Sequence, residues 1–387
     1  MKAINQLKTF QRILEEYPAE TPLGKFLPGF YRQNKQMGST DRRIAGRLMY
    51  NYFRLGKALA GLPADERLFV AEFLCNTQLN SFLQHFKPEW AACIGFSLDE
   101  KLNLVKTAHP EFNLDDVFPW PRQLSAGINK AAFLRSFFVQ PDLFIRVYKG
   151  FETHVKTALT AAEITFKDEG KGCFALPNGT KLEAVIANPH WYEVQDFSSQ
   201  QTAQYFKPQK WESWWDACAA SGGKSLLLHD LEPNLKLVVS DIRESILTNL
   251  DERFQQAGLT KYQKKLLDLT QNNDLLLHDY AFDGIILDAP CSGSGTWGRT
   301  PEMISQFDTY KIDFFQRLQQ SIARNVVKYL KSGKPLIYIT CSVFKAENED
   351  VVNFMVKELG LKLEAQTVLK GYENKADTMF AARLIGI

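Results

Sequence analysis

Hydrophobic positions recur at helical spacing from the N-terminus to about residue 130. Within residues 41–55, Ile44, Leu48, Phe53 and Leu55 fall near one face of a helix, while Arg42, Arg43 and Arg47 can share another. This predicts a helical domain with a basic face, for which solvation is the ordinary explanation. Between residues 126 and 189 the texture changes to short alternating runs, at 144–147 and 181–186, broken by Gly170, Gly172 and the Pro177-Asn178-Gly179 turn. A small α+β module fits that stretch. After a polar segment ending near Gln201, strand-length apolar runs alternate with loops and helices to the C-terminus, the pattern of an α/β sheet. The expected organisation is a helical domain over 1–125, an α+β subdomain over 126–192 and an α/β domain over 193–387.

Length agrees with this division, because 387 residues allow two or three domains at roughly 150 residues each. Charge discriminates little: 46 Lys+Arg against 44 Asp+Glu leave +2, so a nucleic-acid partner must be held by local patches. The six cysteines (75, 93, 173, 218, 291 and 341) form no Cys-x-x-Cys pair and have no zinc-type spacing with histidine. Reduced thiols and no metal are expected. The first residues lack an apolar signal core, and no run approaches ~18 apolar residues, so a cytoplasmic protein is expected.

Two of the cysteines stand apart. Cys291, in Asp288-Ala289-Pro290-Cys291-Ser292-Gly293, and Cys341, in Tyr338-Ile339-Thr340-Cys341-Ser342, each follow an apolar strand-like run. Both should sit at the ends of neighbouring strands, where open α/β sheets place their chemistry. Two thiols there suggest one covalent attack and one release step. For Cys75, Cys93 and Cys173 no chemistry is expected.

Residues 212–217 read as a strand, and Cys218-Ala219-Ala220-Ser221-Gly222-Gly223-Lys224 as a tight glycine loop entering a helix over 225–231. Such a loop lets backbone approach a ligand, with helix N–H groups facing it. Its spacing is neither Gly-x-Gly-x-x-Gly nor a phosphate loop. Asp216, Asp241, Asp268 and Asp288 each close an apolar run, giving an acidic rim at one end of the sheet. A carboxylate accepts two hydroxyl hydrogen bonds from a ribose diol. The rim therefore suits a cofactor with ribose, adenine amino and ammonium donors, such as S-adenosylmethionine, better than a phosphorylated one.

These motifs resemble the Nol1/Nop2/Sun family of RNA cytosine-5 methyltransferases over residues 193–385. Asp288-Ala289-Pro290-Cys291-Ser292-Gly293-Ser294-Gly295 and Thr340-Cys341-Ser342 are the most specific. Residues 216–224 resemble the family's cofactor loop, with Ser221 where Pro usually stands, and residues 194–200 the segment preceding it. Residues 377–384 resemble its closing strand, with Met379 as a departure. The resemblance implies a Rossmann-like class I methyltransferase domain with a doubly wound seven-stranded sheet. It also implies a small RNA-binding subdomain before that domain and, from the helix at 41–55, a NusB-like helical domain.

The resemblance further implies roles. Cytosine C5 is a poor nucleophile; thiolate addition at C6 makes an enamine that accepts a methyl group at C5, and loss of the C5 proton then expels the thiol. By family analogy Cys341 attacks and Cys291 assists release; spacing alone leaves that order open. Asp288 would hold N3 and N4 of the base, and Lys224 would orient Asp288 or lower a thiol pKa. Residues 218–224, Asp241, Asp268 and Asp288 would contact the cofactor, although Cys218 also reads as a packing residue. Trp297 and Phe344 are candidates for stacking on an unpaired base, and Arg299, Arg135 and Lys149 for phosphate contacts. The expected protein is a monomer that methylates C5 of cytosine in RNA, with ribosomal RNA as substrate. A catalytically silent RNA-binding or ribosome-assembly protein is the rival, and Ser221 and Met379 are what feed it. A nicotinamide oxidoreductase lacks its glycine fingerprint and leaves both thiols without a task.

Overall fold

The computed structural model describes residues 2–387, which form two compact units. One unit is helical: it runs to Arg122 and also takes in residues 129–140 and 297–308. Its longer helices are Ala3–Glu16, Leu23–Gln33, Ser39–Arg54, Ala64–Cys75 and Leu98–Ala108. Their apolar stripes meet in a core that includes Phe10, Leu48, Phe73 and Phe82. Trp297 and Phe307 complete an aromatic cluster with Phe118 and Trp120, at ring-centroid separations of 4.9–5.9 Å.

The predicted basic face turns largely inward. Arg47 pairs at 3.0 Å with Glu72, a fully buried carboxylate that also accepts from Asn51 Nδ2 at 2.6 Å. Arg42 lies over the Tyr31 ring, so of the three arginines only Arg43 is exposed. Arg54, buried in the same helix, donates to the carbonyls of Phe137 and Val139 and to Gln140 Oε1.

The other unit carries two sheets. A four-stranded antiparallel sheet is built from β1 (Leu143–Val147), β2 (Lys167–Gly170), β3 (Cys173–Leu176) and β4 (Tyr192–Val194), in the order β2-β3-β1-β4. The run at 181–186, read as alternating, instead forms a short helix, Leu182–Val185, because Leu182 and Ile186 lie four apart and are both buried.

The second sheet has seven strands: β5 (Ser213–Asp216), β6 (Lys236–Asp241), β7 (Gln263–Leu266), β8 (Gly284–Asp288), β9 (Pro335–Thr340), β10 (Lys362–Leu369) and β11 (Met379–Ile385). Their order is β10-β11-β9-β8-β5-β6-β7. Strands β5 to β9 are parallel, while β11 runs antiparallel to both β9 and β10. The chain winds outward from β5 through β6 to β7, then returns to place β8 and β9 on the other side. That reversal opens a crevice at the carboxyl ends of β5 and β8.

Period-two alternation explains the two covered faces. Trp214 packs on one side with Leu226, Leu250 and Phe254, from helices Gly223–Leu231 and Glu244–Gln256. Trp215 packs on the other with Phe282, Val326 and Met355, under helices Tyr310–Val327 and Glu349–Glu358. Both indoles are fully buried, each removing on the order of 200 Å² from water, or ~5 kcal/mol before conformational entropy is charged. Met379 is buried within the first of these faces, opposite Leu369, and so serves as packing. Among the described residues, no helix is long and apolar enough to cross a membrane.

Candidate active site

Strands β8 and β9 are hydrogen-bonded neighbours, with Asp288 beside Ile339. The loops leaving their ends bring Cys291 Sγ and Cys341 Sγ to 3.2 Å. Backbone bonds stitch the loops together: Gly295 N–H donates to the Cys341 carbonyl at 2.8 Å, and Thr378 N–H to the Gly295 carbonyl at 2.9 Å. A side chain at Gly295 would bring Cβ within 1.9 Å of the Thr378 carbonyl oxygen, so this motif position requires glycine. The hydroxyls of Ser292, Ser294 and Ser342 lie 3.1–3.2 Å from one another beneath the thiols. The hydrogen bond to Cys341, together with burial and the nearby Glu347 carboxylate, pushes the Cys291 thiol well up.

Asp288, at the end of β8, accepts from Lys224 Nζ at 2.9 Å through one oxygen, and its side chain is 29% exposed. Lys224 is buried at the start of its helix and also donates to Ser199 Oγ at 2.9 Å. Ser199 in turn receives Gln195 Nε2 at 3.3 Å, and that amide also reaches the Gly223 carbonyl at 3.1 Å. Residues 194–200 thus hold the lysine through Ser199.

The glycine loop leaves β5 over the ends of β6 and β8. Ala217 N–H donates to the Ile286 carbonyl and Ala219 N–H to the Ser240 carbonyl. Gly222 has φ +82°, and a Cβ there would lie 2.3 Å from Phe254, so only glycine keeps the loop this close to the helix Glu244–Gln256. Ser221 Oγ accepts from Arg253 Nη1 at 2.9 Å, while Arg253 also pairs with Glu193 at 2.7 Å. Cys218 is pushed up by burial and by the carboxylates of Asp216, Asp241 and Asp288, in keeping with a packing role. Burial likewise raises Cys75 and Cys173, each to about 12.

The acidic rim is present, with its members differently engaged. Asp241 accepts Ala220 N–H at 3.1 Å and a two-pronged contact from the Arg243 guanidinium at 2.9 and 3.1 Å, and these bonds hold its carboxyl below the usual range. Asp268 takes Thr270 N–H and Oγ–H on a single oxygen, leaving the other open. Asp216 is fully buried; one oxygen accepts Ser225 Oγ–H at 2.7 Å, and the other has no partner. Burial raises this carboxyl from 3.8 to about 7.

The shift at Asp216 has a definite sign. The folded state holds a proton that the unfolded chain releases near pH 4, so this group's contribution is fully present below that pH and is lost as pH rises through about 7. Asp216→Asn, which keeps an acceptor for Ser225, is expected to flatten the fall of melting temperature between pH ~5 and ~8. Thermal unfolding of both proteins across that range checks it; parallel curves count against the assignment.

Several sequence candidates fall outside the site. Trp297 and Phe344 are buried as packing residues, and neither is available to stack on a base. Arg135 pairs with Asp99 at 2.7 Å within the helical unit, and Arg299 is half-buried, while Lys149 is exposed. Ser199, Arg243, Gln319 and Glu347 escaped the sequence reading. Glu347 lies in the charged stretch 345–350, which reads as solvated surface, yet it is fully buried. Among the described residues no cluster of three or more His, Cys, Asp or Glu side chains has metal-binding geometry.

A doubly wound sheet with a glycine loop after its first strand and carboxylates at the following strand ends defines the class I S-adenosylmethionine-dependent methyltransferase fold. Residues 203–384 match the sequence profile of the family described as 16S rRNA methyltransferase RsmB/F. That stretch contains the cysteine motifs and most of the glycine loop's sheet, so the similarity to this methyltransferase family falls on the seven-stranded domain. A ribosomal RNA small subunit methyltransferase B of Shewanella oneidensis is 34% identical over 172 residues, 44% of this chain and 40% of that protein. The chain spans about two fifths of the length of such curated relatives. Among solved structures, PH0851 superposes with TM-score 0.71 at 18% identity, covering 99% of this chain and 98% of its own. NSun6 from Pyrococcus horikoshii, crystallised with SFG, gives 0.60 at 16% identity, covering 69% and 96%.

Proposed function

We propose that this protein is an S-adenosylmethionine-dependent methyltransferase acting on C5 of a cytosine in RNA, with ribosomal RNA as the substrate class. The observation that carries the reading is the pair of thiols 3.2 Å apart beside the Lys224–Asp288 ion pair. Two thiols in contact at adjacent strand ends have a use in a reaction that forms a covalent adduct and then breaks it. The division of labour in the pair follows the family resemblance, Cys341 attacking and Cys291 assisting release, and the 3.2 Å S···S contact lets a proton pass between them.

The residues present fit the cofactor. The open oxygen of Asp268 can accept an adenine amino group, and Asp241 suits a ribose diol once Arg243 swings aside. Ile242, exposed next to Asp241, offers an apolar surface to a flat ring. When bound, the cofactor supplies an electrophilic methyl group.

The protein's own part is addition, charge stabilisation and release. Cys341 Sγ bonds to C6 of an unpaired cytosine, and the electron pair of the C5–C6 double bond becomes available at C5. Asp288, oriented by Lys224, meets the N3 and N4 side of the ring, where charge changes as C6 is attacked. After methylation at C5 that position gives its proton to water, the C–H electron pair re-forms the C5–C6 double bond, and the C6–S bond breaks with its electrons on sulfur, which takes a proton from Cys291.

Bisulfite sequencing of ribosomal RNA from cells lacking the gene is expected to lose one methylcytosine, restored by the wild-type gene. An unchanged map overturns the assignment. A calorimetric titration with S-adenosylmethionine separates this reading from a silent RNA-binding protein, since only the enzyme needs to bind it.

A further inference from the structure

Glu347 is a fully buried carboxylate that touches the loops of both thiols. Its Oε2 accepts the Ser292 N–H at 2.8 Å and Gln319 Nε2 at 3.1 Å, and its Oε1 accepts Ser342 Oγ–H at 2.6 Å. Ser292 follows Cys291 and Ser342 follows Cys341 in the chain, so one side chain grips the residue after each thiol. Gln319 extends the grip by donating to the Pro290 carbonyl at 3.0 Å, on the other side of Cys291. The carboxylate is itself held: Tyr338 Oη–H donates to the Glu347 carbonyl at 2.5 Å. The next residue, Asn348, donates to the Ser342 carbonyl at 2.9 Å and accepts from Thr340 Oγ1 at 2.5 Å.

All three donors to this carboxylate are neutral, and burial raises its carboxyl above the ordinary value. A buried acid without a cationic partner is costly unless its hydrogen bonds are complete. An apolar side chain would fill the same space at lower cost but would leave the Ser292 N–H without an acceptor. The carboxylate is therefore doing something packing does not require: it sets the spacing of two loops that diverge from different strands.

We propose that Glu347 is a positioning residue that clamps the Cys291 and Cys341 loops together and sets the contact between their sulfurs. The inference rests on the reading of the two thiols as a working pair, but its geometric half is testable without RNA or cofactor. Sulfurs held in contact form a disulfide readily under mild oxidation: each thiol gives up a proton and an electron, and diamide, the oxidant, takes up both pairs and becomes the hydrazine.

The test is the rate at which diamide closes the Cys291–Cys341 disulfide in the full chain, followed by mass spectrometry of alkylated peptides. Glu347→Gln is expected to slow closure at least ~10-fold while keeping the wild-type melting transition. With RNA, kcat is expected to drop about 100-fold with KM unchanged, as for a misplaced reacting group. Wild-type closure in a folded Glu347→Gln protein overturns the proposal, and so does a loss of kcat with closure unaffected. If Glu347→Gln does not fold, Ser342→Ala and Gln319→Leu decide, because each removes one arm of the clamp: slower closure in both supports it, and wild-type rates in both overturn it. Should the wild-type protein methylate no RNA while closure still separates the variants, the functional reading falls and the clamp stands.

Discussion

Cys291→Ala is expected to leave a protein–RNA adduct that survives denaturing electrophoresis, whereas Cys341→Ala forms none. The expectation follows from the proposed division of roles between two thiols in contact. On that division Cys341 makes the bond to C6 and needs only its own sulfur for that step; Cys291, 3.2 Å away, is needed when the bond must break. Alanine at 291 therefore permits attack and methyl transfer but starves release. Alanine at 341 removes the nucleophile, and turnover should fall by at least ~10⁴-fold, as when a covalent nucleophile is deleted. Incubating each variant with a short unpaired RNA and S-adenosylmethionine, then running a denaturing gel, reads the outcome. An adduct with Cys341→Ala alone would reverse the two roles, and none with either variant would remove the covalent step.

Lys224→Met should be nearly as damaging to turnover while sparing RNA binding. Lys224 is buried, and its ammonium bridges Asp288 and Ser199 at 2.9 Å each. Methionine keeps the length and apolar stem but leaves the Asp288 carboxylate without a cation or a fixed orientation. Loss of one preorganised charge contact at a reacting centre costs ~10²–10³ in kcat, about 3–4 kcal/mol. Single-turnover methylation at saturating RNA measures this directly. A rate within a factor of about three of wild type would reduce Lys224 to an ordinary helix-start lysine.

The catalytic sheet was legible from sequence because its signals are local. An apolar run followed by aspartate marks β6 and β8, and the tryptophan pair of β5 shows the two-sided burial of a central parallel strand. The thiol pair was legible for the same reason, since both cysteines directly follow such runs. Side chains whose role depends on distant segments were not. Glu347 sits among charged neighbours and gives no hint that Ser292, 55 positions away, will claim it. Trp297 follows the Cys291 motif so closely that it looks like part of the site, yet its neighbours are Phe118, Trp120 and Phe307. The 181–186 run failed differently: six residues carry both periodicities, and the helical one won because Leu182 and Ile186 share a buried face.

The helical unit's claim on residues 297–308 has a consequence for biosynthesis. A nascent chain delivers residues up to 140 early, but Trp297 and Phe307 reach the unfinished aromatic cluster only after the intervening polypeptide has been made. At ~5–20 residues per second that delay is roughly 8–30 s, long compared with the folding time of a small helical domain. During that interval Phe118 and Trp120 lack two of the rings that cover them in the finished protein. A unit whose helices are synthesised early is thus completed late, and until then the rings of Phe118 and Trp120 that Trp297 and Phe307 cover stay open to other contacts.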